Sequence, residues 1–186
     1  IALSDQVTID SGKTIILDMN GETLSIGFSD SSKNLIVNNG TLTITGDGTF
    51  DATEATSYKG FINNYGTLTV ENGTFQIADK AMTVHLRNQD GGKAVINGGT
   101  FSGGATIVRS FEGSNTTITG GSFTNSVYPA VDVNGETLIT GGIFTNTSCS
   151  RCDRQNWGYT VRSGVDNDPD AKLTITPSSE GSVVVT

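Results

Sequence analysis

Gly-x-Phe recurs five times at nearly even intervals, as Gly48-Thr49-Phe50, Gly73-Thr74-Phe75, Gly99-Thr100-Phe101, Gly121-Ser122-Phe123 and Gly142-Ile143-Phe144. The phenylalanines stand 25, 26, 22 and 21 residues apart. A period of this length belongs to chains that wind one short unit on top of the next, and it governs how every segment is read. Each copy follows a short run rich in Thr, Leu, Ile and Val, namely 41–45, 67–70, 94–96, 116–118 and 137–139.

Inside these runs the apolar residues alternate. Leu42 and Ile44 share one side, with Thr41, Thr43 and Thr45 on the other, and Leu68 and Val70 oppose Thr67 and Thr69. A period of two is that of a half-buried strand, and no 3.6-residue stripe with helix caps is present. An antiparallel hairpin stack would not repeat the same strand–turn–Phe order in one direction. Stacked coils do, with each run lying ~4.8 Å from its equivalent as a parallel strand. Phe50, Phe75, Phe101, Phe123 and Phe144 then form an internal ladder. Leu42, Ile44, Leu68, Val70, Ile96, Ile118 and Ile139 line the same interior.

A second alternating stretch follows each Phe: Phe61-Ile62, Val84-His85-Leu86, Ile107-Val108, Val131-Asp132-Val133 and Val161. Asn-Gly and Asp-Gly pairs punctuate the corners. The opening 7–26 and 35–37 fit one or two further coils, and 171–176 with 183–185 fit a last partial one. Six to seven coils give a rod of about 30 Å whose two ends are open sheet edges that need covers. With no helical cap at the start and Ile1 as first residue, the expectation is one domain over 1–186, cut from a longer protein.

Gly reaches 24 of 186 residues, while charged residues make up 16 %. With Thr, Val and Ile at fixed places, these glycines read as turn residues of an ordered β protein rather than as disorder. Eleven basic against nineteen acidic residues give a net charge of −8 and a pI near 4.4. That balance argues against nucleic acid, which calls for a basic stripe, and suits a secreted or surface protein. No apolar run approaches a membrane span, so membrane insertion is not expected.

The chain resembles the parallel β-helix domains of large extracellular proteins, especially those of Gram-positive gut bacteria. The resemblance rests on the opening Gly12-Lys-Thr-Ile-Ile-Leu-Asp-Met-Asn-Gly21 and on the repeat text Gly40-Thr-Leu-Thr-Ile-Thr-Gly46 and Asn97-Gly-Gly-Thr-Phe101. It covers nearly everything except about 148–170. It implies an all-β, single-stranded, right-handed parallel β-helix on a bacterial cell surface, of the kind found in adhesins, and it says little about activity.

β-Helices also carry polysaccharide lyases and hydrolases, yet the motifs resembling Asn-Thr-Asp, Gly-His-Gly and Arg-Ile-Lys in polygalacturonase-like enzymes are missing. The one histidine, His85, has no glycine beside it. Asp166, Asp168 and Asp170, near Arg162, offer the oxygen ligands calcium prefers but lack the glycine and distal Glu of an EF-hand, and a solvated turn accounts for them too. No cofactor is expected. Cys149 and Cys152 form a lone C-x-x-C, read first as a local disulfide, with two free thiols or a metal pair as alternatives.

Two surfaces are candidate binding sites. If Val84, Val131 and Val161 face the core, then His85, Asp132 and Arg162 point outward beside them, joined by Arg87 and Arg109. Guanidinium forks on such a column suit acidic glycans. The other surface is an insertion at 148–158, where Phe144 to Val161 spans 17 residues and holds Arg151, Arg154 and Trp157, followed by Tyr159. Trp157 is the only tryptophan, and an aromatic flanked by Arg is a common anchor for sugars or proteins. The outward threonines also raise ice binding, but Val95 and Leu138 interrupt that array. The expectation is a non-catalytic adhesion module for a glycan or host surface protein, with a polysaccharide-degrading enzyme or tailspike-like depolymerase, and a ligand-free stalk, as the competing readings.

Overall fold

The computed structural model describes residues 1–28, 30, 32–54, 60–78, 83–125, 128–146, 161–163, 172–175 and 183–185. They form an all-β parallel solenoid with three sheets. No helix occurs among the described residues. Sheet 1 contains Val7–Ile9, Asn34–Asn38, Gly60–Asn64, Val84–Asn88, Thr106–Ser110, Val131–Val133 and Val161–Ser163. Sheet 2 contains Thr14–Asp18, Thr41–Thr45, Thr67–Val70, Lys93–Ile96, Asn115–Ile118, Glu136–Ile139 and Lys172–Ile175. Sheet 3 contains Ala2–Leu3, Thr23–Ile26, Thr49–Ala52, Thr74–Ile77, Thr100–Ser102, Ser122–Asn125, Gly142–Asn146 and Val183–Val185.

Each coil therefore has three strands, because Gly-x-Phe starts a strand of its own instead of closing the preceding one. Five register steps lead from Leu24 through Phe50, Phe75, Phe101 and Phe123 to Phe144. That makes about five turns, a small difference from the six to seven coils expected. The first three and the last three strands of the chain extend all three sheets, one strand to each.

The aromatic ladder forms as the spacing predicts. Successive rings from Phe50 to Phe144 lie 4.8, 4.5, 5.0 and 4.7 Å apart and within 9° of parallel. Each of these rings is at most 3 % exposed. The sheet spacing sets this offset stack, since one ring per coil at ~4.8 Å leaves no room for an edge-on neighbour. Gly99 and Gly121 show why glycine precedes it. Their φ angles are +101° and +104°, and a Cβ at either would come within 3.2 Å of the following Phe ring. Leu42, Ile44, Leu68, Val70, Ile96, Ile118 and Ile139 line the same core, all at 2 % exposure or less.

A polar ladder runs through the corner between sheets 1 and 2. Asn38 Nδ2 donates to Asn64 Oδ1 at 2.7 Å, and Asn64 Nδ2 to Asn88 Oδ1 at 2.8 Å. The same amides donate to the carbonyls of Thr67 (2.9 Å), Lys93 (3.1 Å) and Asn115 (2.8 Å), where the chain enters sheet 2. At the next step Asn88 Nδ2 reaches Thr116 Oγ1 at 2.9 Å, and Ser110 and Thr137 share a hydroxyl bond of 2.9 Å. Thr116 and Thr137 are fully buried and stand in register with Leu42, Leu68 and Ala94. They can replace apolar residues there because the corner supplies their partners.

At its first coil the interior opens. Val7, Ile15 and Ile16 are 40, 44 and 70 % exposed, and an apolar cavity of about 340 Å³ is lined by Leu3, Val7, Ile9, Leu17, Leu24 and Ile36.

Phe101→Ala, in mid-stack, should lower unfolding free energy by about 3–5 kcal/mol in urea denaturation, the ordinary loss for a buried Phe. Asn64→Leu removes a buried amide that serves three coils and should cost about 2–4 kcal/mol. The exposed Asn39→Leu is the control and should stay within about 0.5 kcal/mol.

Candidate functional site

The outer face of sheet 1 carries two adjacent columns. Register places Asn63, Arg87, Arg109, Asp132 and Arg162 in consecutive coils. The predicted alignment of Arg87, Arg109, Asp132 and Arg162 is therefore found in the backbone. Two residues further on, Tyr65, Gln89, Phe111 and Asn134 stack in the same way, their amides donating to the carbonyls of Asn38, Asn64, Asn88 and Ser110. A step of two returns a strand to the same side, so Asn63, Arg87, Arg109 and Asp132 each have one of these residues beside them.

Phe111 joins the columns. The guanidinium carbons of Arg87 and Arg109 lie 5.2 and 5.9 Å from its ring centroid, within cation–π range. Arg109 Nε and Nη2 both donate to Asp132 Oδ2, at 2.9 and 2.7 Å. The Asp132 side chain is 1 % exposed and that of Arg109 35 %. Asp132 thus belongs to the outward column by register but lies covered, a correction to its expected exposure. Burial first, and the neighbouring Arg109 charge second, make Arg87 less basic than an ordinary arginine, with Tyr65 opposing them.

Gln89 Nε2 donates to Asn63 Oδ1 at 2.6 Å, and Asn63 Nδ2 to the Tyr65 hydroxyl at 3.3 Å. Tyr65 is 47 % exposed. On the turn side of Phe111, a shallow cavity of about 430 Å³ is lined by Gln89, Asp90, Phe111, Glu112 and Gly113. The arrangement offers guanidinium donors, an aromatic face and carboxylate or amide acceptors within three neighbouring coils. Sequence reasoning missed Tyr65, Gln89 and Phe111. The signal was the alternation Asn63-x-Tyr65, Arg87-x-Gln89, Arg109-x-Phe111 running past the end of each strand.

Arg151, Arg154, Trp157 and Tyr159, the cysteines Cys149 and Cys152, and the acidic run Asp166, Asp168 and Asp170 lie outside the described residues. Among the described residues, no group of three His, Cys, Asp or Glu side chains could hold a metal ion.

His85 is the second correction. Expected outside with Arg87, it is 2 % exposed, with ring centroids of Phe61 and Phe101 at 5.5 and 6.0 Å. The sheet 1 ladder pairs Val84 with Thr106 and Leu86 with Val108 but skips His85, as it skips Phe61 one coil earlier and Leu35 two coils earlier. At this skipped position Leu35, Phe61, His85 and Ile107 are all buried, so strict alternation assigns His85 to the wrong face.

His85 Nε2 lies 3.2 Å from the Gly103 carbonyl, which only accepts, so the ring is protonated at Nε2. Nδ1 is buried with no partner among the described residues. Burial lowers the His85 pKa from 6.5 to about 4, only partly opposed by the Gly103 carbonyl. The fold thus favours the neutral ring. Its stabilising contribution is complete above the unfolded-state value of 6.5 and is lost as pH falls from there toward 4, by up to about 3 kcal/mol. Urea denaturation between pH 7 and 4.5 should show this decline, and His85→Phe, matching Phe61 one coil earlier, should flatten it.

Comparison with family models, with curated proteins and with solved structures finds no match for this chain.

Proposed function

We propose that this chain is a non-catalytic binding module of a surface-exposed or secreted protein, presenting the outer face of sheet 1 to a glycan or host protein. The observation that carries this reading is the alignment of Arg87 and Arg109 in adjacent coils, both over Phe111, in a chain of net charge −8. Parallel coils hold such groups without mobile elements, so little conformational entropy is lost on binding. Planar, always-charged guanidinium forks and aromatic faces are the groups that dominate binding surfaces. The acidic balance and the resemblance to bacterial surface domains support an extracellular, adhesin-like setting as part of the same proposal.

A broad glycan array, run beside an assay of acidic polysaccharides for unsaturated or reducing-end products, tests it. Binding without product formation is the expected result. Product formation would make the chain an enzyme, and silence on both would favour a stalk. With any ligand so found, Arg87→Ala should weaken binding about tenfold, near 1.4 kcal/mol, and added salt should weaken it further. Arg109→Ala is the poorer probe, because it also strips a covered Asp132 of its ion-pair partner. Should Trp157→Ala abolish binding while Arg87→Ala has no effect, the binding surface is the 148–158 insertion instead.

A further inference from the structure

We infer that the outer column Asn39, Tyr65, Gln89, Phe111 and Asn134 is a track for a linear polysaccharide of equatorially linked pyranoses, lying along the solenoid axis. The inference rests on the glycan-binding reading above and adds the class of glycan. Backbone bonds place the five residues in successive coils, since their amides donate to the carbonyls of Ile9, Asn38, Asn64, Asn88 and Ser110 in turn. The column alternates carboxamide with aromatic, so its two rings stand two coils, or about 10 Å, apart. Asn63 Nδ2 holds the Tyr65 hydroxyl, and the guanidiniums of Arg87 and Arg109 lie over Phe111, so both rings are in place before any ligand arrives. Gln89, between them, gives its Nε2 to Asn63 and keeps its side-chain carbonyl as an acceptor. Tyr65 is half exposed, and the turn side of Phe111 opens on the cavity shared with Gln89, Asp90 and Glu112.

Equatorial linkage runs a sugar chain nearly straight, each unit advancing about one coil spacing, ~4.8 Å on the protein, and turning over relative to the last. Units two apart therefore present the same face, in step with rings two coils apart. The apolar face of one unit rests on Tyr65 and that of the second next on Phe111, while the hydroxyls of the unit between reach Gln89. Aromatic surfaces with a few placed polar groups are the ordinary make-up of such sites. An extended peptide is out of step, because its same-side residues recur at about 6.5–7 Å. A polyproline II helix repeats at about 9 Å and is nearly in step. Its prolines have no N–H, however, so it brings only carbonyls to the Asp90 and Glu112 carboxylates, where sugar hydroxyls can donate.

Titration calorimetry on the full chain tests the track with β-1,4-linked oligomers of glucose, N-acetylglucosamine and mannose, each from one to six units. The α-1,4-linked glucose oligomers, whose chain curves, and decaproline are the comparisons. The expected result is that at least one β-1,4 series binds, about tenfold more tightly at three units than at two, because three is the shortest length that spans both rings. The α-linked hexamer should bind at least tenfold more weakly than the β-linked one. Tyr65→Ala and Phe111→Ala should each remove the step between two and three units, and Tyr65→Phe, which keeps the ring, should retain it. Melting temperatures recorded for each variant verify folding. Equal binding of two and three units, equal binding of the α-linked hexamer, or a step that both alanine variants leave in place overturns the track and leaves the module reading standing. Binding of decaproline in place of the sugars also overturns it and assigns the column to a peptide. No binding by any probe overturns the track, and a silent glycan array beside it overturns the module reading as well.

Discussion

Everything in this protein depends on the in-register stacking of parallel coils. Because each strand lies ~4.8 Å from its equivalent one turn later, every side chain meets its own counterpart as nearest neighbour. The phenylalanine stack is the clearest result. A flat ring fits that spacing face to face, so a Phe at the same place in each coil fills the interior continuously, with centroid separations of 4.5 to 5.0 Å. The glycines two residues before Phe75, Phe101, Phe123 and Phe144 answer to the same constraint, since each has a positive φ and a Cβ there would crowd the ring at 3.2 to 3.3 Å.

The constraint extends to polar groups. An asparagine buried at one corner would leave an amide without partners, but at the same corner of successive coils each amide donates to the next. Asn38, Asn64 and Asn88 behave in this way, and they also bind the carbonyls at the entry to sheet 2. Where the asparagine gives way to Ser110, the facing core position holds Thr137, and the two hydroxyls satisfy each other. His85 departs from this logic. It occupies a position that is Leu35, Phe61 and Ile107 in other coils, and its Nδ1 has no partner among the described residues.

On the outside, stacking converts single residues into columns, and there charge matters more than shape. Arg109 is flanked by Arg87 on one side and Asp132 on the other, so one neighbour repels it and the other binds it. Two guanidiniums gathered over Phe111 contribute little to the core, whose filling is complete without them. That is the physical ground on which we propose recognition for this face rather than for the threonine-rich outer face of sheet 2, where register shows the breaks at Val95 and Leu138.

The period of Gly-x-Phe and the alternation in the adjoining runs determined the fold class, the aromatic ladder and most of the apolar core. Both are properties of short segments repeated at a fixed interval, so they can be read without knowing which coil touches which. The alignment of Arg87, Arg109, Asp132 and Arg162 was legible for the same reason. Only the tertiary structure decided that each coil has three strands, that the asparagines form an internal ladder, and that Asp132 lies covered beside Arg109. It alone brought Tyr65, Gln89 and Phe111 beside the arginines and turned His85 inward. These outcomes depend on hydrogen bonding between coils. A ladder that skips one residue per turn reverses the facing of that side chain, and nothing in a period of two along a single strand records where the neighbouring strand leaves a residue unpaired.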